Sequence, residues 1–113
     1  MREFLRSKIH KAIVTDTDLH YEGSIGIDGA LVEKSGMKDG ERVLVVDNTN
    51  GARLETYIIA EENDSGKVIM YGASARLIKK GDEIIIMGFE IADNPPKQTK
   101  LLLDKNNKII KEL

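Results

Sequence analysis

Short runs of Ile, Val, Leu and Thr, broken by turn residues roughly every ten positions, constrain this chain more than any other feature. Lys11–Thr15, Arg42–Asp47, Arg53–Ala60, Lys67–Tyr71 and Asp82–Ile91 each read as strands, and Lys100–Leu103 and Lys108–Ile110 follow in the tail. Asn50-Gly51 stands between the second and third runs. A tight hairpin turn needs positive φ at its centre, which Asn and Gly tolerate, so these two runs are predicted to pair antiparallel. Two short helices are predicted. One covers Asp28–Ser35, with Asp28 as N-cap and Gly36 as its stop. The other covers Ala73–Lys79, with basic residues near the C-terminal end, where they suit the helix dipole. Asn94-Pro95-Pro96 is expected to end the compact body. Many short strands with few helices predict a single mainly β domain over residues 1–113, a small barrel or sandwich.

Such a domain must find its core among aliphatic side chains. Hydrophobic residues make up 41% of the 113, but aromatic residues only 4%, with no Trp. Seventeen basic residues against nineteen acidic ones give a net charge of -2. A dedicated nucleic-acid binder needs a basic face to neutralise phosphates, and this balance argues against one. The absence of cysteine excludes a disulfide scaffold, a thiolate metal site and a cysteine nucleophile. No segment approaches the ~18 apolar residues of a membrane-spanning helix, and no apolar stretch follows the charged N-terminus. The expectation is a cytoplasmic protein with no membrane or nucleic-acid partner.

Several site patterns lead nowhere. His10 and His20 have no third ligand at metal spacing and read as surface or structural histidines. Asp16 and Asp18 flank a Thr and read as a turn with local hydrogen bonds. Gly72–Gly81 lacks the Gly-Lys-Ser/Thr of a phosphate loop. The lysines from Lys97 onward read as a solvated tail. Leu19–Ile25 is different, because it contains Gly23-Ser24. A Gly-Ser pair is usually just a turn. A Ser hydroxyl can also attack the preceding carbonyl and shift the acyl group from nitrogen to oxygen, and a Gly before it leaves the approach open. Elimination from the resulting ester, then hydrolysis with loss of ammonia, leaves a pyruvoyl group. Spacing alone does not show that this happens here.

Four blocks resemble bacterial aspartate 1-decarboxylases. They are Lys8–Thr15, Asp18–Ser24 followed by Ile27-Asp28, Asn50–Tyr57, and Gly72–Arg76 followed by Gly81-Asp82. They occur in the family's order and spacing, and the similarity covers residues 1–92 well and the tail more loosely. The resemblance implies a double-psi β-barrel with short helices, assembled as a homotetramer with sites between subunits. It implies a precursor that cleaves itself at Gly23-Ser24 into a chain 1–23 and a chain 24–113. The activity implied is decarboxylation of L-aspartate to β-alanine for pantothenate synthesis, through a Schiff base to a pyruvoyl group made from Ser24, with no metal and no pyridoxal phosphate. Arg53 would clamp a substrate carboxylate and Lys8 would be a second cation. Tyr57 would return a proton, Thr56 would assist processing, and Tyr21, Gly72, Ala73 and Ser74 would line the pocket. Whether processing needs a helper protein is open. Tyr71 and Ser74 depart from the family's usual Asn and Ala, which bears on substrate fit, processing rate and pocket shape. The alternatives are a non-catalytic barrel that binds a small acid or a partner, and a pyruvoyl decarboxylase of another amino acid such as glutamate. On a regular strand Arg53 and Tyr57 share a face and Thr56 points away, so a bulge or a subunit seam is expected to unite them.

Overall fold

The computed structural model describes residues 1–113. Its elements are β1 (Arg2–Ile13), β2 (Asp16–Asp18), β3 (Ser24–Asp28), α1 (Gly29–Ser35), β4 (Arg42–Asp47), β5 (Arg53–Glu61), β6 (Val68–Tyr71), a 3₁₀ turn (Gly72–Arg76), β7 (Glu83–Ala92), β8 (Thr99–Leu103) and β9 (Ile109–Glu112). The mainly β class expected from the sequence is what the chain adopts. The nine strands form one mixed sheet in the order β2-β6-β3-β5-β4-β7-β1-β8-β9. Just past β1 the chain extends the ladder that β2 makes with β6. There Thr15 N–H donates to the Val68 carbonyl at 2.7 Å, and the Thr15 hydroxyl accepts from Val68 N–H at 3.0 Å. From the other side of the sheet the Asn107 amide, in the β8–β9 turn, donates to the Gly66 carbonyl at 2.9 Å just before β6, consistent with a barrel-like fold.

The core is aliphatic, as the composition requires. Ile9, Ile25, Ile27, Val43, Val45, Ile58, Met70, Ile78, Ile84 and Ile86 are all buried. β4, β6 and β7 present alternate residues to this core, the period-two pattern of a half-solvated strand, whereas β3 is buried throughout and β9 exposed throughout. The Asn50-Gly51 hairpin forms: β4 and β5 pair antiparallel from Arg42↔Tyr57 to Val46↔Arg53. The first predicted helix also forms. Asp28 accepts from Ala30 N–H at 2.9 Å, and Gly36 ends the helix at φ +79°. Asp28 does more than cap: its carboxylate also takes the Asp64 and Gly66 N–H groups, both at 2.9 Å, fastening the β5–β6 loop to β3.

Four expectations are corrected. The first strand begins at Arg2, not Lys11, because β1 is a central strand between β7 and β8 whose outward side chains are charged. Asp16–Asp18 is a short strand on β6 rather than a free turn, although Asp16 and Asp18 do accept the local Thr17 and His20 N–H groups. Ala73–Lys79 is not an α-helix. The 3₁₀ turn stops at Arg76, and the Ser74 carbonyl is shared by the Leu77 and Ile78 N–H groups. Finally, Asn94–Pro96 does not end the body. β8 returns parallel to β1 and buries Leu101 and Leu103, and Asn107 is 1% exposed, bonded to Ile13 and Gly66. These long-range pairings leave no mark in the local pattern.

Candidate active site

Ser24 opens β3, where β3 enters the sheet between β5 and β6. It is 4% exposed, and its hydroxyl donates to the Glu22 carbonyl at 3.1 Å. Its backbone stands opposite Tyr71. Gly72 follows, opening the 3₁₀ turn with φ +72°. A Cβ on Gly72 would lie 2.7 Å from Gly23 Cα, 2.9 Å from Gly23 N and 3.0 Å from the Tyr21 carbonyl oxygen. Only glycine allows both this backbone angle and this approach. The Gly23 peptide therefore rests directly on the Gly72 backbone.

β5 forms the opposite wall. β3 pairs parallel to it from Ile25↔Ile58 onward, and two residues earlier this register sets Gly23 alongside Thr56. Before Ile58, β5 is paired only to β4, so its other edge is open. A cleft of about 360 Å³ occupies this gap, lined among others by Gly23, Thr56, Tyr57, Ala73, Ser74 and Leu77. The expected conflict resolves here for Thr56 and Tyr57, but not for Arg53. β5 is regular, with Thr56 inward at 8% exposure and Tyr57 outward at 55%. No bulge intervenes, but the cleft meets the strand at an unpaired edge and so touches both residues.

Gly23, Ser24, Thr56, Tyr57, Gly72, Ala73 and Ser74 are thus brought to one place. Tyr21 joins them by its ring, 4.7 Å from that of Tyr71. Arg53 shares the exposed face of β5 with Tyr57 but does not line the cleft. Lys8 is further away. The register Lys8↔Met87↔Leu44↔Glu55 puts it on the same outward face as Arg53 and Tyr57, but three strands across, on β1. The half-buried Leu44, Val46, Ile85 and Met87 lie between them on that face. Direct cross-strand partners share a face, so this row follows from register alone.

Two residues bearing on the site escape the sequence reading. Glu55 lies between Arg53 and Tyr57 at the strand period and pairs with Arg42. The alternation was the signal for it. Glu61 accepts the Tyr71 hydroxyl at 3.2 Å, and no motif announces it. Burial, then the negative charge and hydrogen bond of Glu61, push the Tyr71 phenol up to about 12. Ser74 donates its hydroxyl to the Tyr71 carbonyl at 2.9 Å, tying the start of the 3₁₀ turn. A larger cleft of about 440 Å³ is edged by Glu3, Glu41, Glu55 and Glu90 with Arg42. Its charge repels a dicarboxylate, so size does not identify the site.

The residues present suit a pyruvoyl group generated in place. The required Ser follows a Gly whose peptide is pressed into a cradle that a Cβ on Gly72 would fill. A family model described as aspartate decarboxylase matches residues 1–110. The aspartate 1-decarboxylase of Thermotoga petrophila is 46% identical over 109 residues, covering 96% of each chain. That of Thermosipho africanus is 51% identical over 108 residues, covering 94% of this chain and 90% of the relative. That of Bacillus pumilus is 46% identical over 112 residues, covering 96% and 88%.

Proposed function

The chain belongs to the aspartate decarboxylase family, and on that premise we propose that it converts L-aspartate to β-alanine and carbon dioxide, for pantothenate synthesis, with a pyruvoyl group made from its own Ser24. The observation that carries this reading is the seating of the Gly23-Ser24 peptide between Thr56 and the Gly72 backbone. A peptide held on both sides can be attacked by its own hydroxyl without first being searched for.

In the precursor the Ser24 hydroxyl is held on the Glu22 carbonyl. Processing exchanges that bond for attack on the Gly23 carbonyl carbon, and the Gly23–Ser24 C–N bond breaks as the ester forms. Thr56, inward on β5, supplies a hydroxyl beside Gly23 to hold the carbonyl oxygen as it gains charge. Loss of the residue-24 α-proton then expels the Gly23 carboxylate. Water replaces the nitrogen, which leaves as ammonia.

Once formed, a pyruvoyl group supplies a carbonyl that binds the substrate amine and withdraws electrons from its α-carbon. The remaining tasks fall to this chain's side chains. Arg53 holds a carboxylate through two parallel hydrogen bonds. Tyr57, projecting from the open edge of β5, returns a proton to the α-carbon through its hydroxyl. Lys8 lies three strands from β5 in its own chain, so it serves the site of a neighbouring copy. The half-buried aliphatic row between Lys8 and Arg53 suits burial against such a copy, in line with a homotetramer.

Intact-mass measurement of the purified protein under denaturing conditions tests this. The expected result is two chains split after Gly23, the larger lighter by one ammonia than a Ser-started chain, with aspartate turnover in the same sample. A single chain that stays uncleaved after prolonged warming refutes unassisted processing.

A further inference from the structure

We propose that Tyr71, oriented by Glu61, is a positioning residue for self-cleavage: its ring holds Tyr21 and, through it, the Gly23-Ser24 peptide against Gly72. This rests on the self-cleavage reading above. It assigns a role to a residue that the proposed chemistry does not otherwise use.

The loop that carries the scissile peptide has few ties of its own. Glu22 and Gly23 are exposed, and Tyr21 is 52% exposed. The bonds that start the loop are the Tyr21 and His20 N–H groups on Asp18, at 3.4 and 3.2 Å. Beyond them, the Ser24 hydroxyl on the Glu22 carbonyl and the Thr56 wall aside, the loop leans on one dipeptide, Tyr71-Gly72. The Tyr71 ring meets the Tyr21 ring at 4.7 Å, with planes tilted by 46°. The Tyr71 backbone pairs with Ser24 on the far side of the scissile bond. Gly72 abuts Gly23 between them. The peptide is thus fixed before, at and after the bond to be broken.

Glu61 keeps that ring in place. It ends β5, and its carboxylate reaches across β3 to accept the Tyr71 hydroxyl at 3.2 Å. The crossing passes over Gly26. A Cβ there would lie 2.7 Å from Glu61 Oε2 and 2.9 Å from Tyr71 Cε2. A glycine at a fully buried strand position is therefore explained by the pair that crosses it. Ser74 fixes the other end of the same residue through the Tyr71 carbonyl. A phenol held at ring, hydroxyl and carbonyl cannot turn away from the loop.

The test is the time course of cleavage of the full-length precursor, followed by intact mass, for the parent and for Tyr71→Leu, Tyr71→Phe, Tyr21→Leu and the Tyr21→Leu/Tyr71→Leu double variant. Loss of an aromatic pair is expected to slow cleavage roughly three- to tenfold in either Leu variant. The double variant is expected to be no slower than the slower single, because both remove one contact. Tyr71→Phe keeps the ring but gives up the Glu61 hydrogen bond, so it is expected to recover part of the loss, which a general effect on stability does not explain. Tyr21 is half-exposed, so Tyr21→Leu remains decisive if Tyr71→Leu fails to fold. Cleavage of Tyr21→Leu at the parental rate overturns the proposal, and so does a Tyr71→Phe variant as slow as Tyr71→Leu. A parent that does not cleave overturns self-cleavage and this role together. A cleaving parent with unaffected variants overturns the role of Tyr71 alone.

Discussion

Gly72→Ala isolates the close approach on which the site depends, and Gly36→Ala is its internal control. Both glycines have positive φ, +72° and +79°. Alanine in that region costs about 1 kcal/mol relative to glycine. Around Gly36 a Cβ meets nothing within 4 Å, so this backbone cost is the whole expected effect. At Gly72 the Cβ lands 2.7 Å from Gly23 Cα, a backbone atom that cannot swing aside as a side chain does. Forcing an extra methyl into a packed place adds about 1–3 kcal/mol. The expected losses are therefore about 1 kcal/mol for Gly36→Ala and about 2–4 kcal/mol for Gly72→Ala. If the 20–23 loop shifts to relieve the clash, the stability loss shrinks, but the scissile peptide leaves its seat. Either way, cleavage is expected to slow at least tenfold in Gly72→Ala and to remain at the parental rate in Gly36→Ala. Urea unfolding of uncleaved precursor measures the first quantity, and intact mass against time measures the second. Equal stability losses together with parental cleavage in both variants would refute the reasoning.

Three further outcomes are expected. Arg53→Gln is expected to raise KM for aspartate by about 10- to 100-fold, since a charged hydrogen bond to carboxylate is worth about 1.5–3 kcal/mol. An unchanged KM in steady-state assays removes Arg53 from the clamp. Tyr57→Phe is expected to cleave normally and fold within about 0.5 kcal/mol of the parent, because the ring is exposed, yet to lose kcat by at least about 100-fold as a proton donor. Parental kcat would assign the proton elsewhere. Asp47 is buried beside Asp82, with one oxygen unpartnered. Burial first, then the neighbouring Asp82 carboxyl, raises its carboxyl above the ordinary range. The folded state holds that proton more tightly than the unfolded chain does, so stability falls as pH rises from the ordinary carboxylate range through the raised value. Urea midpoints measured from about pH 4 to about pH 7 should show a smaller decline, or a larger rise, in Asp47→Asn than in the parent. Identical pH profiles would count against a raised Asp47 carboxyl.

Local chemistry made much of the molecule legible. Asn50-Gly51 marked its hairpin because the turn needs a positive φ, which Gly51 supplies at +78°. Asp28 and Gly36 marked the ends of α1 because a helix terminus needs a side-chain acceptor at one end and a left-handed residue at the other. The reading failed where partners are distant. Nothing near Arg2 says that β1 runs between β7 and β8, and nothing after Pro96 says that Leu101 returns to the core. The site divides in the same way. Gly23-Ser24, Thr56, Tyr57 and Gly72 stood in recognisable blocks, whereas Glu61 is an ordinary glutamate until β3 places Gly26 beneath it.

The sequence by itself determined the aliphatic core, the alternation that turns Arg53 and Tyr57 to one side of β5, and the Gly-Ser pair on which the chemistry would act. These are properties of neighbours along the chain, where a dihedral preference or a period of two acts directly. Tertiary structure decided that Gly72 meets Gly23, that the open edge of β5 lets Thr56 and Tyr57 share a cleft, and that Lys8 lies three strands away. Those facts depend on strand order and register. Each requires segments tens of residues apart to be brought together, and only burial of the common core supplies the free energy to do so.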